Sequence, residues 1–211
     1  MATQENRSMV SEVSICNQAL TWLGSDTITS LDDDSRQANW MKANYPFVRD
    51  AVMEERMWSF AVDRAVSTVA DMDAWGGMFV HPKPTEWMSV FRVYKTLTAG
   101  GEGVPDASYR MEGGNVLSKY STVYLWGLKR ISDTGAFSPM FTQALSARLA
   151  ADAAIPLTEN RQLQADMWAL YGDKLVAAAS RDGQQGANDY ITQRRLTSAR
   201  FAGGYVADGG R

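Results

Sequence analysis

The chain has 211 residues, 45% of them hydrophobic and 21% charged, which is a globular composition and enough for one large domain or a domain plus an appendage. A single cysteine and a single histidine exclude an internal disulfide and a thiolate cluster, and they argue against zinc binding and Ser-His-Asp catalysis. The formal charge of −3 divides into +2 over residues 188–211 and −5 over the rest, and an acidic body disfavours tight sequence-independent DNA binding, which draws on Lys and Arg at phosphates.

The first predicted element is a helix from about Ser11 to Leu23, where Val13, Cys16, Leu20 and Leu23 recur at helical spacing and Gly24 supplies a stop. The loop "SDTITSLDDDS" follows. Asp34 as N-cap with Gln37 in the capping-box position then opens a second helix, whose Ala38, Met41, Tyr45, Val48 and Val52 form one apolar stripe. Trp40, Phe47, Ala51 and Trp58 form a second stripe on another face, so this helix is expected to be packed on two sides, central to a bundle or shared with a neighbouring subunit. Pro46 predicts a kink.

From about Met78 to Ile131 the period changes to that of strands. "EWMSVFRVY" is rich in β-formers, and His81 between Val80 and Pro82 reads as loop, as does "GEGVPD". "YRMEGGNVLSK" reads as a hairpin turning at Gly-Gly-Asn, and "STVYLWGLKRI" as a longer strand. Helical character returns at "SPMFTQALSARLAADAAIPL", with Ser138 as N-cap, Pro139 at the first helical position, Phe141, Leu145 and Leu149 on one face, and Pro156 ending the run. A last helix spans roughly Glu159 to Arg181, before Gly183 and Gly186 dissolve it.

The fold class expected from these elements is α+β but mainly α: an antiparallel bundle of about four helices, a small β-section inserted between the second and third, and an extended C-terminal arm. The expected domains are residues 8–62 plus 136–182 for the bundle, 74–132 for the β-rich insert and 183–211 for the arm. No apolar run approaches the roughly 20 residues that span a bilayer, and "MATQENRSMV" has neither a basic nor an apolar leader region, so a cytoplasmic origin without membrane association is expected.

Each chemical motif has a simpler structural counterpart. Asp32, Asp33 and Asp34 lack the alternate ligand positions and closing Glu of a calcium loop, and suit helix capping better. Glu54 and Glu55 point about 100° apart on a helix, so they cannot flank one glycosidic bond. "AGGEGVP" has no following Lys-Ser or Lys-Thr and no helix behind it, which makes it a loop and not a phosphate cradle. No catalytic residue, cofactor or metal is expected. The Trp residues, spread over nearly every element, exceed what one modest core needs, which places some of them between subunits.

Residues 188–211 are too polar and Gly-rich to fold alone, yet carry Tyr190, Leu196, Phe201 and Tyr205 among the arginines. Such a segment is expected to be ordered by a partner, with aromatic anchors and Arg hydrogen bonds offsetting the loss of conformational freedom; the alternative is a frayed terminus, above all over Ala202–Arg211.

"ICNQALTWLG" with "ITSLDDDS", then "YPFVRDAVMEERMWSFA", and later "FSPMFTQALSARLAADAAIPLT" with "MWALYGDKLVAA", resemble the tail tubular protein A family of short-tailed phages, the head-to-tail adaptors. The likeness covers about Ile15 to Ala61, Val123 to Ala178 and the tail, and is least between Ala74 and Ser108. It implies a non-enzymatic virion protein, assembled in the host cytoplasm as a ring, a dodecamer in the particle, beneath the portal protein. Such a ring extends the DNA channel, helps retain the packaged genome and offers a docking platform to the tail nozzle, a tail tubular protein B-like partner. Duplex DNA would pass without sequence-specific binding, along a passage whose acidic character keeps phosphate from adhering.

The resemblance makes Tyr45, Pro46, Arg49, Asp50, Trp58 and Phe60 structural signature positions. It makes Tyr190, Arg194, Arg195, Leu196, Arg200, Phe201 and Tyr205 a portal-binding arm. Two rival classes remain from the residues alone: a virion-associated peptidoglycan hydrolase, permitted by scattered carboxylates, and a soluble cytoplasmic helical regulator.

Overall fold

The computed structural model describes residues 10–72, 76–98 and 103–184. Helices α1 (Glu12–Trp22) and α2 (Arg36–Glu54) come first in the chain. Strands β1 (Val62–Thr68), β2 (Phe79–Pro82), β3 (Trp87–Leu97), β4 (Gly103–Pro105), β5 (Arg110–Glu112), β6 (Asn115–Ser118) and β7 (Thr122–Lys129) follow, and then helices α3 (Pro139–Thr158) and α4 (Arg161–Gly183). Among the described residues no helix is long and apolar enough to cross a membrane.

Each helix starts where a short polar side chain can accept from an otherwise unpaired amide. In α1 the box is reciprocal: Ser14 donates its amide to the Ser11 hydroxyl at 3.1 Å, and Ser11 its amide to the Ser14 hydroxyl at 2.9 Å. For α2 the cap is Ser35, which accepts from the Ala38 amide at 3.1 Å, and not the expected Asp34. Asp33 is occupied with the preceding turn, accepting the amides of Thr29 at 2.7 Å and Ser30 at 3.0 Å, and these bonds hold its carboxyl below the usual carboxylate range. Ser138 and Pro139 start α3 as expected, but the helix runs on through Pro156 to Thr158 and ends at Glu159, whose φ is 57°. The carbonyl of Pro156 receives a guanidinium N–H from Arg36, which ties the end of α3 to the start of α2.

The strands form two antiparallel sheets, one in the order β1-β7-β3-β4 and the other β2-β6-β5. Gly113 and Gly114, at φ of 56° and 82°, turn β5 directly into β6 with Glu112 opposite Asn115, the two-residue hairpin that Gly-Gly permits. A small core of Trp87, Val93, Val116, Val123 and Leu125 lies with these strands. The larger core gathers α1, α2 and α3 with Trp58, Ala61, Phe137 and, from β7, Leu128.

These elements correct the expected fold class. The molecule is not a helical bundle with a small inserted β-section: among the described residues seven strands in two sheets account for 24% against 45% helix, and they precede the last two helices. The physical reason is visible in the packing. Helix α3 is apolar nearly all round, packing on α4, α1 and α2, whereas α1 and α2 barely touch. Leu128 is buried in the main core, and Met88 and Phe91 of β3 pack against it, so the sheet closes a space that the helices leave open. Strand β1 was not foreseen, and His81 and Gly103–Pro105, read as loop, lie in β2 and β4.

Candidate functional site

Four of the six signature positions, Arg49, Asp50, Trp58 and Phe60, lie near where α2 gives way to the first sheet, whereas Tyr45 and Pro46 lie earlier in α2. Trp58, 1% exposed, donates its indole N–H to the Val52 carbonyl at 3.0 Å and so satisfies one of the acceptors that the end of α2 leaves unpaired. Its ring meets Phe141 of α3 edge-on at 5.0 Å, and Phe60 in turn packs against Phe141 at 4.9 Å and Phe137 at 5.6 Å. Tyr45 is buried in the main core, and burial, with Glu12 and Cys16 nearby, pushes its phenol up. Its hydroxyl has no partner among the described residues. Pro46 lies inside α2 on its exposed side.

Asp50 joins two elements. One carboxylate oxygen accepts from Nε and Nη2 of Arg49 at 2.9 and 2.7 Å, and the other from Nε of Arg130, just past β7, at 2.9 Å. Arg49 is itself buried, and a buried guanidinium needs such a partner. At the far end of α4, Asp182 accepts the amide of Ser59 at 2.9 Å and its hydroxyl at 2.6 Å, which pins the same turn from a third direction. Arg49, Asp50, Trp58 and Phe60, with Arg130 and Asp182, thus bond across the junction between helices and sheet.

The two apolar stripes of α2 have different fates. Ala38, Met41, Tyr45, Val48 and Val52 are buried. Of the second stripe only Trp58 is. Phe47 is 76% exposed, and with Trp40, Asn44 and Ala51 it borders an open groove between α2 and α3 whose far wall is Arg148, Asp152 and Pro156. Arg148 is fixed there by Nε to Asp152 at 3.0 Å and by Nη1 to Glu55 at 3.3 Å. Its guanidinium also lies 4.4 Å from the Trp168 ring centroid and 5.4 Å from that of Tyr171, so one side chain links α2, α3 and α4.

Sequence reasoning missed Arg148, Arg130 and Asp182, because each acts across elements and none sits in a local motif. Glu54 is exposed while Glu55 turns to Arg148, so the two carboxylates share no target. Among the described residues no group of three or more His, Cys, Asp or Glu is placed to hold a metal. Cys16 is buried in the core, and burial, then Glu12, pushes its thiol up to about 12. His81 is wholly buried between the Ser67 hydroxyl at 3.0 Å and the Tyr120 carbonyl at 2.9 Å.

Asp106 is a buried carboxylate in the β-half. It accepts hydroxyls from Ser118 at 2.6 Å and Ser108 at 2.7 Å and the Ser108 amide at 2.9 Å. Burial opposes its ionisation, but these donors outweigh it and hold the carboxyl below the usual range. A carboxyl lowered on folding stabilises the fold above its ordinary pKa of about 4 and loses that contribution as pH falls through the lowered value. Asp106→Asn is thus expected to cost about 1–3 kcal/mol at neutral pH and less in acid, read from urea midpoints at pH 7 and pH 3. An equal cost at both would contradict this reading.

The portal-binding arm expected at Tyr190, Arg194, Arg195, Leu196, Arg200, Phe201 and Tyr205 lies outside the described residues. No known family model matches the chain, and no curated protein matches it.

Proposed function

We propose that the protein is a non-enzymatic head-to-tail adaptor of a phage particle: a ring-forming subunit that docks beneath a portal, continues its DNA channel, helps retain the genome and carries the tail nozzle. The reading rests on the ordered motifs around Ile15–Ala61 and Val123–Ala178. The single structural observation that supports it is the open stripe on α2. An exposed Phe47 beside Trp40 and Ala51, in a groove walled by a rigidly held Arg148, is the half of a contact that a second subunit completes. Burying one Phe side chain contributes about 1.5–3 kcal/mol, and a closed ring repeats that gain at every seam.

The reading is tested by Phe47→Asp, a change at an exposed position that should leave the thermal midpoint within a few degrees of the parent. In sedimentation with purified portal rings, the parent is expected to co-migrate and Phe47→Asp to remain a slow, free species. The paired change Arg200→Ala with Phe201→Ala asks the same of the arm. If both variants join the portal as the parent does, neither surface is used and the adaptor reading fails.

A further inference from the structure

Beyond Leu128, which enters the main core, one face of the four-stranded sheet is covered by neither core. The alternation of β1, β7 and β3 turns Ala65, Val93, Val123 and Leu125 to the small core and leaves Arg64, Val66, Arg92, Tyr94, Tyr124 and Trp126 on the opposite face. The register aligns them in two rows. Arg64 is opposite Trp126 and Trp126 opposite Arg92; Val66 is opposite Tyr124 and Tyr124 opposite Tyr94.

In the first row the guanidinium carbons of Arg64 and Arg92 lie 5.5 and 5.4 Å from the Trp126 ring centroid, one reaching from each neighbouring strand. In the second, Val66 is 63% exposed and, with Tyr94, Tyr124 and Leu97, lines a hollow that the first row adjoins. Neither arginine has a carboxylate within 4.0 Å among the described residues, although the whole chain carries net −3. The Trp126 indole N–H has no acceptor among the described residues.

Two cations with their charge unspent, set beside an apolar hollow, select a ligand that is anionic at two points and apolar at a third. We propose that this face is a docking site for an acidic segment of a partner protein. Two carboxylates engage Arg64 and Arg92, and a neighbouring aromatic or aliphatic side chain enters the hollow over Val66, Tyr94 and Tyr124. The arginines stand two strand spacings apart, about 10 Å, which carboxylates two or three positions apart in an extended segment reach at about 3.3 Å per residue.

Nucleic acid fits less well. Its affinity needs a track of cations and open aromatic faces for stacking, and here there are two cations, both lying against the Trp126 ring. The inference is independent of the adaptor reading, since the motifs behind that reading lie mostly in the helices.

The test uses the full isotope-labelled chain and three probes: the peptide acetyl-Gly-Glu-Asp-Phe-Asp-Glu-Gly-amide, its Gln/Asn isostere, and a thymidine oligonucleotide. The acidic peptide is expected to shift amide resonances of β1, β3 and β7 and the Trp126 indole, and to bind about tenfold or more tightly than the isostere. Arg64→Ala with Arg92→Ala, both exposed, is expected to abolish that preference, and Arg64→Glu with Arg92→Glu to reverse it toward a Lys-containing peptide. Equal binding of the isostere, tighter binding of the oligonucleotide on this face, shifts confined to other elements, or no shift up to about 1 mM peptide would each overturn the proposal.

Discussion

Replacing Trp58 with Ala is expected to lower stability by about 3–5 kcal/mol, among the largest costs of any single substitution in the chain. Three losses coincide at this position. The indole is wholly buried, so its removal opens a cavity whose walls, Phe60 and Phe141 among them, are held by other contacts and collapse only partly. The edge-on contact with Phe141 disappears, worth about 0.5–1.5 kcal/mol beyond area alone. The Val52 carbonyl at the end of α2 also loses its donor. Trp58→Phe separates these contributions, because it retains most of the volume and deletes the hydrogen bond, at about 1–2 kcal/mol. Urea unfolding reads both; a Trp58→Ala cost below about 1 kcal/mol would mean that the aromatic cluster is not the keystone of the junction.

The second large effect belongs to the β-half. Gly127 of β7 pairs with Val90 of β3, between the irregularities at Trp87/Ser89 and Val90/Arg92, and the Trp87 ring lies directly over it. A Cβ built there meets Trp87 at 2.3 Å and the Ser89 carbonyl oxygen at 2.4 Å. The first contact could be relieved by moving an indole that is otherwise buried and bonded to Asp63 at 3.2 Å; the second is backbone and cannot be relieved without opening the β3–β7 ladder. Gly127→Ala is therefore expected to cost about 3 kcal/mol by overpacking, read as a fall in the midpoint of thermal unfolding, with near-ultraviolet ellipticity of the tryptophans lost first. Near-parental stability would show that the sheet yields at β3.

The helices were legible because their signals are local. Ser138-Pro139 starts α3, and the 3.6-residue spacing from Ala38 to Val52 marks the buried face of α2. The Gly-Gly hairpin was legible for the same reason. Misreadings arose where the deciding partner is remote in sequence. "VDRAVST" becomes β1 only because Val62–Thr68 pair with Thr122–Leu128, and half of its alternation is spent on exposed Arg64 and Val66, so its pattern reads weakly alone. His81 next to Pro82 looks like loop, yet Ser67 and the Tyr120 carbonyl, both from other segments, make burial of its ring tolerable. "GEGVPD" contains a strand because Gly103 can lie flush against the Tyr94 ring, a close approach no pattern announces.

The bundle expectation failed on the same ground. Four helical stripes suggest a closed helical core, but the sequence does not say that Leu128, Met88 and Phe91 of the sheet will fill the fourth side. The second stripe of α2 is expected to be covered, but Trp58 lies past the end of the helix and turns inward while Phe47 is open. That open half, with the ordered motifs around it, is what the adaptor proposal draws on.

Electron micrographs of the protein mixed with purified portal from the same phage test the proposal most directly. The proposal predicts a new ring of density, centred on the channel at one end of each portal particle, in the parent and not in Phe47→Asp. Portal particles with bare ends at saturating parent protein would contradict it.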